Sequence, residues 1–140
     1  MKNIEVCYTP NSILNYKLSN KIIVVIDILR ATSTIVTLFS KGATSITPIE
    51  TLDECKKYKN KGYVIMAERM GKKVEGFDFG NSPSKILEKK FKNKKIAIAT
   101  SNGTKTILKT RKSKMTLIGS FLNLKSIVKY LDKQNDDILL

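Results

Sequence analysis

An α/β domain is the fold class this chain predicts, and three observations carry the prediction. Short runs rich in Ile and Val alternate with stretches whose apolar residues recur at helical spacing. The run Ile22-Ile23-Val24-Val25-Ile26 is continuous, as expected of a strand covered on both faces. Clusters of polar residues follow the strands directly, where open α/β sheets bind their ligands. The expected architecture is three-layered, a mostly parallel or mixed sheet with helices on both faces. Residues 1–140 are read as one domain, without repeat, low-complexity tract or linker.

The elements follow in order. Strands are expected at 4–8, 21–28, 45–48, 63–67, 95–99, 115–118 and 137–140. A helix over 31–40 puts Ile35, Val36, Leu38 and Phe39 on one side and stops at Gly42, a natural C-terminus. Thr51-Leu52-Asp53-Glu54 is a capping box that opens a helix toward Lys59. Ser82 and Pro83 supply an N-cap and a first-turn proline for a helix through about Phe91. Leu124, Ile127, Val128 and Leu131 form the i, i+3, i+4, i+7 stripe of a helix lying on a core. The last residues, Asp136-Asp137-Ile138-Leu139-Leu140, open like a strand and then stop.

Composition excludes several chemistries. The chain has no His, so a Ser-His-Asp triad, a histidine-ligated zinc and a histidine general base are ruled out. Cys7 and Cys55 have neither metal-ligand nor disulfide-framework spacing and read as two buried free thiols of a reducing compartment. The net charge is +14, but 23 of the 26 basic residues are Lys, scattered along the chain, and only Arg30, Arg69 and Arg111 are Arg. That pattern speaks against a nucleic-acid module and for attraction of small anions. No apolar run reaches the ~18 residues of a membrane span, and the N-terminus lacks the core of a signal peptide. The expectation is a soluble, cytoplasmic protein.

Four polar clusters could hold chemistry. In Asp27-Ile28-Leu29-Arg30-Ala31-Thr32-Ser33-Thr34 an Asp closes an apolar strand and a helix opens with hydroxyls and an Arg. This is either a phosphate cradle or a helix merely capped by Asp27 or Thr32. The stretch from Glu68 to Pro83 holds three carboxylates and three glycines and reads as too irregular for an element. It suits Mg²⁺, or is a solvated loop. Thr100-Ser101-Asn102-Gly103-Thr104-Lys105 is either an anion nest at a helix start or an Asn-Gly hairpin with 104–110 as return strand. In Gly119-Ser120, the serine is explained by capping the helix that follows.

Together these segments resemble the 2-phosphosulfolactate phosphatase family, magnesium-dependent phosphatases of coenzyme M biosynthesis. The resemblance is carried by V-V-I-D-I-L-R-A-T-S-T (24–34), A-E-R-M-G-K-K-V-E-G-F-D-F-G-N-S-P (67–83), A-T-S-N-G-T (99–104) and G-S-F-L-N (119–123). It implies hydrolysis of 2-phospho-3-sulfolactate to 3-sulfolactate and phosphate, a mixed, two-part sheet, and a helix rather than a hairpin after Asn102-Gly103. Family members continue past the equivalent of Leu140, so the chain is expected to be the N-terminal half to two-thirds of the fold, an incomplete one.

On that basis Asp27, Glu68, Glu75 and Asp78 are expected to hold Mg²⁺, with Asp27 and Arg30 as catalytic residues. Arg30, Arg69, Asn81, the hydroxyl and amide groups of Thr32, Ser33 and Thr34, and those of Thr100, Ser101, Asn102, Gly103 and Thr104 would bind phosphate and sulfonate. The metal would orient or activate a water, or Asp27 would act as nucleophile through an aspartyl-phosphate. The expected partner is a small anionic phosphoester, with no nucleic acid and no membrane; a homodimer is left open. Two rivals are kept. One is a haloacid-dehalogenase-type phosphatase, although Leu29 stands where that motif wants a second Asp; the other is a non-catalytic anion-binding or interaction domain.

Overall fold

The computed structural model describes residues 2–100 and 102–140. Its strands are β1 (Ile4–Glu5), β2 (Lys21–Ile26), β3 (Ser45–Pro48), β4 (Val64–Arg69), β5 (Lys72–Lys73), β6 (Lys95–Ala99), β7 (Met115–Gly119) and β8 (Asp137–Leu139). The helices are α1 (Ala31–Ser40), α2 (Leu52–Lys57), α3 (Pro83–Leu87), α4 (Gly103–Lys109) and α5 (Leu124–Asp132). They form two four-stranded sheets, in the orders β1-β8-β2-β7 and β3-β6-β4-β5. All pairs are parallel except β4 with β5. The sheet is therefore two-part and mixed, and helices cover both faces of it.

Burial explains the second sheet. On one face Met66, Ile96 and Ile98 pack with Leu38 of α1, Ile86 of α3 and Phe91. On the other, Ile65, Ala67, Ala97 and Ala99 meet Ile49, Phe77 and Cys55 of α2. Alternate residues of β4 and β6 thus serve opposite layers, as the two-residue repeat of a strand requires. In the first sheet Ile23, Val25 and Leu139 face Ile13 and Ile107 of α4. Its other face looks toward α5 across a groove of about 310 Å³ lined by Ile4, Val24, Ile26, Leu124 and Val128. Among the described residues no helix is long and apolar enough to cross a membrane.

Several boundaries differ from expectation for visible reasons. The first strand is only two residues long. The helix opened by Pro83 ends at Leu87, and Phe91 turns inward to stack edge-on against Phe79 at 5.3 Å. The stretch after Glu68 is not wholly irregular: Met70 (φ 50°) and Gly71 (φ 76°) make the two-residue turn of the β4–β5 hairpin. Left-handed φ at both central positions is the mark of a type I′ turn. Asn102-Gly103, the stronger hairpin signal, instead begins α4. The run at the end of the chain is β8, inserted between β1 and β2.

Candidate active site

Three strands deliver the site. β2 hands on to Asp27, β4 carries Glu68 near its end, and β6 hands on to Thr100. α1 and α4 begin beside one another at this rim. A Cβ on Gly103 would stand 2.2 Å from the Cβ of Ala31 and 3.3 Å from Oδ2 of Asp27, so a residue without a side chain is what the spacing admits.

Between these ends lies a cleft of about 220 Å³, lined by Asp27, Arg30, Glu68, Asn81, Thr100, Asn102 and Gly103. The Arg30 guanidinium pairs with Oε1 of Glu68. The second oxygen of Glu68 accepts the Asn81 backbone N–H at 3.3 Å. Asn81 is held further by its Nδ2, which donates to the Ala99 carbonyl at 3.0 Å, and by its own carbonyl, which accepts from the Thr34 hydroxyl at 2.7 Å. The Asp27 carboxylate makes no hydrogen bond or ion pair with any described residue. A larger cavity of about 530 Å³ opens on the other side of Asp27 and Asn102, toward Cys7 and Thr9.

Other expected residues are not at the cleft. The hydroxyls opening α1 are buried and spent on the backbone. Thr32 donates to the Asp27 carbonyl at 2.8 Å, Ser33 to the Ile28 carbonyl at 2.9 Å, and Thr34 to Asn81 as above. Thr104 accepts the Thr100 N–H at 3.2 Å and is likewise buried, so it shapes the α4 start. Arg69 follows Glu68 on a strand, projects to the opposite face, and donates to the Glu68 carbonyl at 2.9 Å. Asp78 accepts the Ile65 N–H at 2.9 Å and a Lys59 bond at 3.0 Å, at the far end of β4 from Glu68. Glu75 is exposed on the connection after β5. Among the described residues no three acidic or thiol side chains come together as a metal cage. Ser101 lies outside the described residues.

Sequence reasoning missed Leu29, Ala31, Met70 and Gly71, which also line the cleft. A glycine after an exposed residue at the end of a strand was the available signal for the hairpin turn. Nothing local marks Ala31.

Residues 7–140 match the family model described as 2-phosphosulpholactate phosphatase. The chain belongs to this family. It is 47% identical over 117 residues to a probable 2-phosphosulfolactate phosphatase of Thermotoga petrophila, covering 84% of this chain and 51% of that protein. Against a probable 2-phosphosulfolactate phosphatase of Clostridium beijerinckii the identity is 36% over 141 residues, 98% of this chain and 59% of the relative. One from Clostridium tetani is 38% identical over 141 residues, 99% and 60% of the respective chains. The chain thus spans about half to three-fifths of the length of these curated relatives. Every segment that forms the cleft falls within the part matched to the 2-phosphosulfolactate phosphatase model.

Proposed function

We propose that this chain carries the phosphoryl-transfer site of a magnesium-dependent 2-phosphosulfolactate phosphatase, hydrolysing 2-phospho-3-sulfolactate to 3-sulfolactate and phosphate. The observation that carries this reading is the Asp27 carboxylate, which has no partner among the described residues and is set in one cleft with the Arg30–Glu68 pair. A cytoplasmic place in coenzyme M biosynthesis, and one α/β domain over the length of the chain, go with it.

The donor set fits Mg²⁺. Two carboxylates and one guanidinium leave the cleft lining with one net negative charge, which repels a phosphate, sulfonate and carboxylate ester unless a cation intervenes. Magnesium is commonly held by one or two carboxylates, the remaining positions going to water and substrate phosphate. Asp27 and Glu68 would hold it here; Glu75 and Asp78 are dropped because they stand elsewhere. When bound, the ion neutralises charge on the phosphoryl oxygens and acidifies water.

The chain's own residues supply the rest. Arg30 offers a planar fork to two phosphoryl oxygens, and Glu68 holds that fork in place. A water oxygen forms the new bond to phosphorus as the ester oxygen leaves. Asp27 takes one water proton and returns it to the departing alkoxide, so the products are an alcohol and phosphate. Thr100 and Asn102 border the same space and orient the phosphoryl group.

Phosphate release from 2-phospho-3-sulfolactate, measured with Mg²⁺ and with EDTA, tests this. Asp27→Asn and Arg30→Ala each lower kcat/KM at least ~100-fold, about 2.7 kcal/mol. Undiminished turnover in both variants sinks the assignment. Mg²⁺-independent binding of the ester without turnover favours an anion-binding module, and a trapped phosphoenzyme makes Asp27 the nucleophile.

A further inference from the structure

We infer that Thr34, which substrate cannot touch, is a positioning residue for the Arg30 fork and acts through a closed ring of four residues. Thr34 is 0% exposed and stands one helical turn after Arg30 at the start of α1. Its backbone N–H donates to the Arg30 carbonyl at 2.9 Å. Its hydroxyl lies 3.0 Å from that same carbonyl and 2.7 Å from the carbonyl of Asn81. A hydroxyl has one proton to give. The N–H already serves the Arg30 carbonyl, so the shorter contact, to Asn81, takes the proton. Among the described residues no other donor reaches the Asn81 carbonyl. The hydroxyls of Thr32 and Ser33 stay local, bonding carbonyls five residues back, whereas Thr34 reaches a segment 47 residues on.

The other links close the ring. The Asn81 N–H donates to one oxygen of Glu68 at 3.3 Å, and the other oxygen pairs with the Arg30 guanidinium. The Arg30 side chain is long and 36% exposed, so without a clamp it samples many rotamers and loses the orientation a planar fork needs. Glu68 clamps it only while its own carboxylate is fixed, and the Asn81 backbone does that fixing. Asn81 in turn is tied to β6 by its Nδ2 bond to Ala99 and to α1 by Thr34. Removing the hydroxyl strips a buried residue's carbonyl of its donor, which is unfavourable enough to move the segment. That movement passes to Glu68 and then to Arg30. The inference rests on the phosphatase reading only in what the fork is used for; the ring itself is a property of the substrate-free chain.

Thr34→Ser and Thr34→Ala both lack the methyl and differ from each other by the hydroxyl alone. Nitrogen-15 NMR of the full chain follows rotation of the Arg30 guanidinium, recognised by the signal that Arg30→Ala removes. Rotation is restricted in wild type and Thr34→Ser, and free in Thr34→Ala as in Glu68→Ala. With Mg²⁺ and 2-phospho-3-sulfolactate, kcat/KM of Thr34→Ala falls about tenfold below that of Thr34→Ser. On an Arg30→Ala background that gap closes, which a merely structural hydroxyl would not produce. A guanidinium still restricted in Thr34→Ala overturns the inference, as does free rotation in wild type or a gap that survives Arg30→Ala. Should Thr34→Ala fail to fold, Thr34→Val, which keeps the volume, decides by the same readings. A guanidinium freed in Thr34→Ala, with no hydrolysis of the ester by wild type, sinks the phosphatase reading and leaves the positioning role standing.

Discussion

Gly103 and Ala31 join the first turns of α4 and α1 so closely that a methyl group at position 103 would fall 2.2 Å from the Ala31 Cβ. Among the described residues no pair of bonded side chains joins these two helix starts; close packing of backbone against a methyl does. The contact brings the end of β6 against the end of β2 and leaves Asp27 beside both, its Oδ2 3.3 Å from the same notional methyl.

Gly103→Ala therefore overpacks the rim. Prying the two helix starts apart costs about 1–3 kcal/mol. We expect a lower urea midpoint with unchanged slope, and weaker cation binding because Asp27 is displaced. A midpoint equal to wild type would show that the rim yields more easily than its spacing implies.

The Arg30–Glu68 pair joins the loop after β2 to the end of β4, and Glu68 is the more buried partner, with 13% of its side chain exposed against 36% for Arg30. A double-mutant cycle with Arg30→Ala and Glu68→Ala should return a coupling of about 0.5–2 kcal/mol in stability. Arg30→Lys should retain part of that coupling yet lose substrate affinity, since an ammonium cannot make the two-pronged contact. Additive single effects would dissociate the pair from both roles.

Asp78 holds the backbone rather than a ligand. Asp78→Ala leaves the Ile65 N–H without its acceptor and removes the Lys59 bond, so stability should fall by about 1–2 kcal/mol. Phosphate release and Mg²⁺ affinity should remain within twofold of wild type. A loss of cation binding in a folded Asp78→Ala protein would return this residue to the metal site.

The two thiols differ in environment. Burial is the main cause that pushes Cys55 up to about 11, against a hydrogen bond from the Met66 backbone that lowers it and the nearby Glu54 charge that raises it further. Cys7, expected to be buried like Cys55, is only half-buried, because it follows the short edge strand β1 and lines the larger cavity. Below pH 9 a thiol reagent should modify Cys7 first, with Cys55 reacting only on denaturation. A raised acid pKa in the folded state means the unfolded chain ionises first as pH rises. Stability is thus fully present below the ordinary thiol range and declines between about pH 9 and 11, by up to about 2–3 kcal/mol from this group. Cys55→Ser should flatten that decline, and a wild-type curve already flat over the interval would contradict the burial argument.

Some of this molecule was legible in residue order. The apolar run of β2 and the Thr51 cap are local patterns, and each appears where periodicity and capping chemistry put it, although only the Thr51 half of the expected capping box forms. The stripe of α5 forms a helix as its spacing predicts, but it does not lie on a core: Leu124 and Val128 stay about half exposed beside an open groove, and no residue of α5 is buried. Thr51 accepts the Glu54 N–H at 3.2 Å, and the Ser120 hydroxyl accepts the Leu122 N–H at 3.2 Å as a cap. The hairpin was missed because Met70-Gly71 lacks the Asn-Gly signature. Asn102-Gly103 has that signature but begins a helix, because Thr100 and Thr104 bond across the turn and Ala31 fills the space beside the glycine.

Residue order alone determined the strand and helix alternation, the absence of histidine chemistry and the concentration of polar residues after strand ends. Those are properties of neighbours along the chain. Which of these polar groups share one cleft was decided only by tertiary structure, because strand alternation sends Glu68 and Arg69 to opposite faces and backbone carbonyls consume the α1 hydroxyls. The Asp27 carboxylate stands out in the fold because it has no partner among the described residues, and a missing partner cannot be read from sequence.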